Sequence, residues 1–181
     1  LGEEKWRCIQ SGLLSYEDMQ NITIEDRKSI MQELKIEKNI PIILATMHPI
    51  PRDLELTNFE MREFLEGLRN FSNTVKSKII ITSPNNDIGC DIISKLIKEY
   101  IVLIKNGIYF ESLGGKRYHS LMSLAKTTRI IVCGNSSSVI KEAPYYGAHS
   151  LNIGIRQSGR ESASTQINCS ADRISISEKL K

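Results

Sequence analysis

The apolar positions of this chain fall in short runs rich in Ile and Val, separated by longer stretches in which apolar residues recur every three or four positions. Runs of the first kind suit strands buried on both faces, and stretches of the second kind suit helices that bury one side. The pattern predicts strands near residues 42–46, 78–82, 107–111, 129–133 and 149–153, and helices over residues 23–34, 58–72, 90–99, 116–125 and 137–146. The helix from Asn58 is the most periodic, with Phe59, Met61, Phe64, Leu65, Leu68 and Phe71 marking its apolar face. Such alternation predicts right-handed βαβ units and an α/β fold, a doubly wound parallel sheet with helices on both faces. Residues 6–10 fit less well and read as an isolated strand, and the chain from Asp172 reads as a capped helix running to the terminus.

Composition narrows the function classes. Hydrophobic residues make up 40% and charged residues 25%, which is ordinary for a soluble globular domain. The net charge of +3 comes from scattered lysines rather than a basic stripe interleaved with aromatics, which argues against a nucleic-acid partner. No apolar stretch reaches membrane-spanning length, so no membrane partner is expected. The cysteines Cys8, Cys90, Cys133 and Cys169 form no C-x-x-C pair, which argues against a zinc site or a disulfide framework. Reduced thiols and a cytoplasmic location follow as expectations, with no metal and no cofactor. The first residue is Leu1, and the chain is expected to be a piece of a longer protein. Residues 1–20 are then a connection from a missing N-terminal domain, and residues 21–181 form the domain itself.

In an open parallel sheet, ligands bind beyond the carboxyl ends of the strands. The chemically unusual residues all follow predicted strands: His48 the first, Asn85 the second, Gly134-Asn135-Ser136-Ser137-Ser138 the fourth and Arg156 the fifth. In the fourth of these loops glycine eases the turn into a helix, serines offer hydroxyls, and free backbone N–H groups suit a phosphate. Glu142 lies further along and could accept hydrogen bonds from two neighbouring ribose hydroxyls. A serine N-cap followed by a surface glutamate describes the same residues without a ligand. Pro144 conflicts with a helix that starts as early as Ser137. Arg156 and Arg160 suit a diphosphate or simply a solvated loop. His48 suits a general acid or base, a phosphate donor or a structural residue. Asn85, with Asn86 and Asp87, equally builds a turn and caps the next helix.

Taken in order, four motifs make the chain resemble the C-terminal half of a UDP-N-acetylglucosamine 2-epimerase of the hydrolysing, sialic-acid-pathway type. They are Thr46-Met47-His48-Pro49, Pro84-Asn85-Asn86-Asp87-Ile88-Gly89, Gly134-Asn135-Ser136-Ser137-Ser138-Val139-Ile140-Lys141-Glu142-Ala143 and Asn152-Ile153-Gly154-Ile155-Arg156-Gln157-Ser158-Gly159-Arg160-Glu161. Pro49-Ile50-Pro51 after His48, and Asn-Ser-Ser before the helix, resemble the hydrolysing rather than the non-hydrolysing group. Two departures are a serine at Ser138, near which the family often has glycine, and Leu13-Leu14 where proline is common nearby.

The resemblance implies a Rossmann-like domain, the C-terminal half of a GT-B-type two-domain fold. It implies an enzyme that binds UDP-N-acetylglucosamine, eliminates UDP with loss of the C2 proton, and adds water to release N-acetylmannosamine. UDP would be held by Ser136, Ser137, Asn135, Asn85, Arg156 and Glu142, with His48 catalytic beside the leaving group. The acidic residues that manage the C2 proton would lie mostly in the N-terminal domain, so this chain alone is expected to be inactive. The intact protein is expected to self-associate. A glycosyltransferase donor domain and a non-catalytic nucleotide-sugar binding module remain the alternatives.

Overall fold

The computed structural model describes residues 2–13 and 15–181. Six strands form a single parallel sheet in the order β3-β2-β1-β4-β5-β6: β1 (Ile42–Thr46), β2 (Lys78–Thr82), β3 (Gly107–Phe110), β4 (Ile130–Gly134), β5 (His149–Ile153) and β6 (Gln166–Cys169). The chain runs outward from β1 to β3, returns to pair β4 against the other side of β1, and then runs outward again. The doubly wound sheet expected from the apolar runs is therefore present.

Its two faces are covered separately. Along β1, Ile43 and Ala45 enter one apolar cluster while Ile42 and Leu44 enter the other, as the two-residue side-chain period of a strand requires. On the first face lie α3 (Leu54–Thr74), α4 (Cys90–Tyr100) and α8 (Arg173–Lys179). On the second lie α1 (Tyr16–Gln20), α2 (Ile24–Glu33), α5 (Gly114–Met122), α6 (Ser137–Lys141) and α7 (Ala143–Tyr146). Met19 of α1 is buried in that second cluster, and Tyr146 Oη donates to its backbone oxygen at 3.1 Å.

Several expected elements change. Residues 6–10 form no strand: Lys5–Arg7 is a 3-10 helix, Trp6 and Ile9 are exposed, and no strand among the described residues pairs with this segment. The edge strand β6 has no counterpart in the expected pattern. Helix α3 starts at Leu54 rather than Asn58, because Asp53 caps it by accepting from the Leu56 N–H at 2.8 Å. Phe59, expected on the apolar face, is 58% exposed, while Met61, Phe64, Leu65, Leu68 and Phe71 are buried as their spacing requires. The helix expected over residues 137–146 is two short helices broken at Glu142. Pro144 falls in the first turn of the second, where a missing N–H costs little, which resolves its conflict with an early helix start.

Helices α3 and α8 pack closely because Gly67 offers no side chain: a Cβ there would lie 2.7 Å from Ile176 Cγ2. Beside this contact Glu63 accepts from both the backbone N–H and the Nε of Arg173 at 2.9 Å. That pairing holds the Glu63 carboxyl below its usual range.

Candidate functional site

The strand order reverses between β1 and β4, and at such a point the two loops leave their strands in opposite directions and open a crevice. Thr46 and Gly134 end the paired stretch. A Cβ on Gly134 would stand 1.9 Å from the Thr46 carbonyl oxygen, and its φ of +128° lies outside the range that side chains favour. Only glycine lets the two strand ends approach and then part.

Directly beyond Gly134, Asn135 turns inward. Its side chain accepts from the His48 N–H at 2.6 Å and donates to the His48 carbonyl at 2.9 Å. Its own carbonyl receives Arg156 Nη1 at 3.2 Å and Gln157 Nε2 at 2.6 Å. One residue, 1% exposed, thus fastens together the loops after β1, β4 and β5.

His48 is buried, and its Nδ1 accepts from the Asn85 N–H at 3.1 Å. A neutral ring that accepts at Nδ1 carries its proton on Nε2. Burial, reinforced by the Arg156 charge and opposed by Asp87, pushes the imidazole down to about 4. At neutral pH His48 is therefore an uncharged Nε2–H donor on the wall of the cleft.

The cleft, about 360 Å³, lies between the loop after β1, the start of α5 and the turn into α6. Of the residues singled out from sequence, it gathers His48, Asn85, Ser136, Ser137 and Glu142. Asn135 lies beneath it, and Arg156 lies to one side, half-buried, with Nη2 3.9 Å from Asp87 Oδ2. Arg160 is exposed on a separate concavity. Helix α6 has only five residues, so its aligned dipoles are few, and the polar groups this turn presents are chiefly serine hydroxyls. Ser136 caps α6 by accepting from the Ser138 N–H at 3.4 Å. Glu142, at the break between α6 and α7, is steadied by Ser15 Oγ, which donates to Oε1 at 3.2 Å.

The structure also brings in residues that strand-end reasoning passes over. Tyr118, His119 and Ser138 line the cleft, and Tyr118 Oη lies 2.8 Å from Ser138 Oγ. The Nδ1 of His119 is buried without a partner among the described residues. Tyr118 and His119 sit on the body of helix α5, and no sequence signal marks either of them. Among the described residues, no cluster of three or more His, Cys, Asp or Glu side chains is placed to hold a metal ion, and no helix is long and apolar enough to cross a membrane.

Comparison with known proteins converges on one family. The model of the family described as UDP-N-acetylglucosamine 2-epimerase matches residues 1–181. The chain is 30% identical over 161 residues to a GDP/UDP-N,N'-diacetylbacillosamine 2-epimerase (hydrolyzing) of Campylobacter jejuni, covering 88% of this chain and 40% of that protein. It is 28% identical over 138 residues to a UDP-N-acetylglucosamine 2-epimerase of Neisseria meningitidis, covering 76% of this chain and 34% of that one. The crystal structure of UDP-GlcNAc 2-epimerase from Neisseria meningitidis bound to UDP-GlcNAc superposes with a TM-score of 0.66 at 19% identity. That match covers 92% of this chain and 42% of that one. The chain spans less than half the length of these relatives.

Proposed function

The chain belongs to the UDP-N-acetylglucosamine 2-epimerase family, and from that premise we propose that its cleft holds the UDP portion of a UDP-2-acetamido sugar in a hydrolysing 2-epimerase. The observation that carries this reading is the convergence of an uncharged His48 Nε2–H, the Ser136 and Ser137 hydroxyls and the Glu142 carboxylate on one cleft at the sheet's switch point.

Each group suits one part of the nucleotide. Ser136, Ser137 and the Nε2–H of His48 donate to diphosphate oxygens, with the Arg156 guanidinium adding charge from the side. Glu142 accepts from the ribose hydroxyls, and Asn85 serves both through its backbone bond to His48 and at the rim. Asn135 acts through His48 rather than on the ligand. In the reaction, the C1–O bond to UDP and the C2–H bond break to leave a glycal. Water then adds at C1 and a proton returns to the opposite face of C2, giving free N-acetylmannosamine and UDP. His48 stabilises the charge that gathers on the departing diphosphate. The groups that take and return the C2 proton belong to the remainder of the longer enzyme, which we place in the cytoplasm as a homo-oligomer. The relatives are named for N-acetylglucosamine or for N,N'-diacetylbacillosamine. Both are 2-acetamido sugars, and UDP-N-acetylglucosamine is the substrate proposed here.

Two measurements test the reading. UDP at a hundred times its dissociation constant should stabilise this chain by about 2.7 kcal/mol, and no shift at millimolar UDP in a folded sample overturns it. In the full-length enzyme, UDP and N-acetylmannosamine should form from UDP-N-acetylglucosamine without an acceptor, which a glycosyltransferase would not do. His48→Ala there should lower turnover by more than it weakens UDP affinity.

A further inference from the structure

We propose that Tyr118 and Ser138 form a hydroxyl relay that commits Ser136 to donating a hydrogen bond into the cleft, a positioning role that rests on the diphosphate reading above. Ser138 Oγ donates to Ser136 Oγ at 3.1 Å, and the Ser138 N–H reaches the same oxygen at 3.4 Å. Tyr118 Oη lies 2.8 Å from Ser138 Oγ. A hydroxyl has one proton and two lone pairs. Since the Ser138 proton is directed at Ser136, the phenol must be the donor in the Tyr118–Ser138 bond. Burial supports this, because it pushes the Tyr118 phenol up to about 12 and keeps it protonated.

The consequence falls on Ser136. Its oxygen receives two bonds, both from Ser138, and these occupy its lone pairs. Its proton is the one hydrogen-bonding valence left, and Ser136 lines the cleft beside Ser137. A serine hydroxyl ordinarily adapts to either a donor or an acceptor by rotating. The relay removes that freedom and leaves a group that only donates. It therefore matches a phosphate oxygen and mismatches a ligand hydroxyl or amide N–H, whose own proton would face an occupied oxygen. Both Ser136 and Ser138 are buried, so water competes little for either position.

Titration of this chain with UDP and, separately, with uridine tests the relay. Tyr118→Phe and Ser138→Ala should each weaken UDP binding roughly three- to tenfold and leave uridine binding unchanged, since uridine lacks the diphosphate. Ser138→Thr, which keeps the hydroxyl, should restore UDP affinity. In a Ser136→Ala background, Tyr118→Phe should have no further effect. Thermal midpoints without ligand identify a variant that fails to fold, and the other relay variant then carries the test. Equal losses for UDP and uridine, unchanged UDP affinity in both variants, or a full Tyr118→Phe effect without Ser136 would overturn the relay alone. Failure of the parent chain to bind UDP would overturn the diphosphate reading and the relay with it.

Discussion

The side chain of Asn135 clasps the backbone of His48, accepting from its N–H at 2.6 Å and donating to its carbonyl at 2.9 Å. An asparagine is the side chain that offers both groups in one plane, so the clasp reads as a short rung joining the two loops of the switch point. Asn135→Asp keeps the acceptor and loses the donor, leaving a buried carboxylate against the His48 carbonyl. Asn135→Ala loses both bonds. Buried groups left without partners cost about 1–3 kcal/mol each. Urea unfolding should show both variants destabilised by that order. UDP affinity should fall with them, although Asn135 does not line the cleft. Unchanged UDP affinity in a folded Asn135→Ala chain would separate the clasp from ligand binding.

Gly134 sets the geometry that the clasp exploits. Alanine there places a Cβ 1.9 Å from the Thr46 carbonyl oxygen and forces a side chain into a backbone region at φ +128°. Neither atom is the flexible end of a side chain, so β1 and β4 must move apart. A substitution where the native φ is incompatible costs more than ~1 kcal/mol, and the steric overlap adds to it. Gly134→Ala should be among the most destabilising single changes in the sheet, measured by thermal or urea unfolding. By contrast, Gly115→Ala, where a Cβ would meet nothing within 4 Å, should change stability little.

How far the sequence reveals this arrangement depends on what each residue's neighbours decide. The four inner strands are legible because buried runs such as Ile79-Ile80-Ile81 have one stable solution, burial on both faces. Strand β6 is not, because Gln166-Ile167-Asn168-Cys169 is an edge strand with Ile167 46% exposed. It is held partly by a hydrogen bond from Asn152 Nδ2 to Asn168 Oδ1 that no apolar pattern records. The site shows the same divide. Strand ends are legible, so His48, Ser136 and Ser137 are found with their cleft. The direction of a side chain at a strand end is not, so Asn135 turns out to face inward and Arg156 to reach the Asn135 carbonyl. Tyr118 and His119 reach the cleft from the body of a helix, and only tertiary packing determines that α5 presents them there.

The low proton affinity of His48 predicts a pH dependence with a definite sign. Burial lowers the imidazole from 6.5 to about 4 in the folded chain. Between these values the unfolded chain binds a proton that the folded chain does not, so stability rises with pH across the window. The contribution is complete above about 6.5 and is lost as pH falls toward 4, with an upper bound of ~3 kcal/mol. Asp26 and Asp172, lowered to about 2 by hydrogen bonds, act below that window. Glu60, raised by burial, opposes the trend near its lower end. Comparing the parent with His48→Asn cancels these shared terms. The difference in unfolding free energy between the two should change steeply from pH 6.5 to 4, and a flat difference would contradict a neutral, desolvated His48.

Glu142 offers the most selective test of how the nucleotide lies. It stands where α6 ends and α7 begins, with Ser15 donating to one carboxylate oxygen, so its orientation is set from outside its own helix. If its role is to accept from ribose hydroxyls, its loss must be felt through those hydroxyls. Hydrogen bonds to a charged group contribute about 1.5–3 kcal/mol, which corresponds to roughly tenfold or more in affinity. Glu142→Ala should weaken UDP by that order and weaken 2'-deoxy-UDP markedly less, because the deoxy ligand has already lost one partner. Glu142→Gln should fall between, since the amide keeps one acceptor and loses the charge. Equal losses for UDP and 2'-deoxy-UDP in both variants would show that Glu142 acts through the shape of the α6–α7 break rather than through the 2'-hydroxyl.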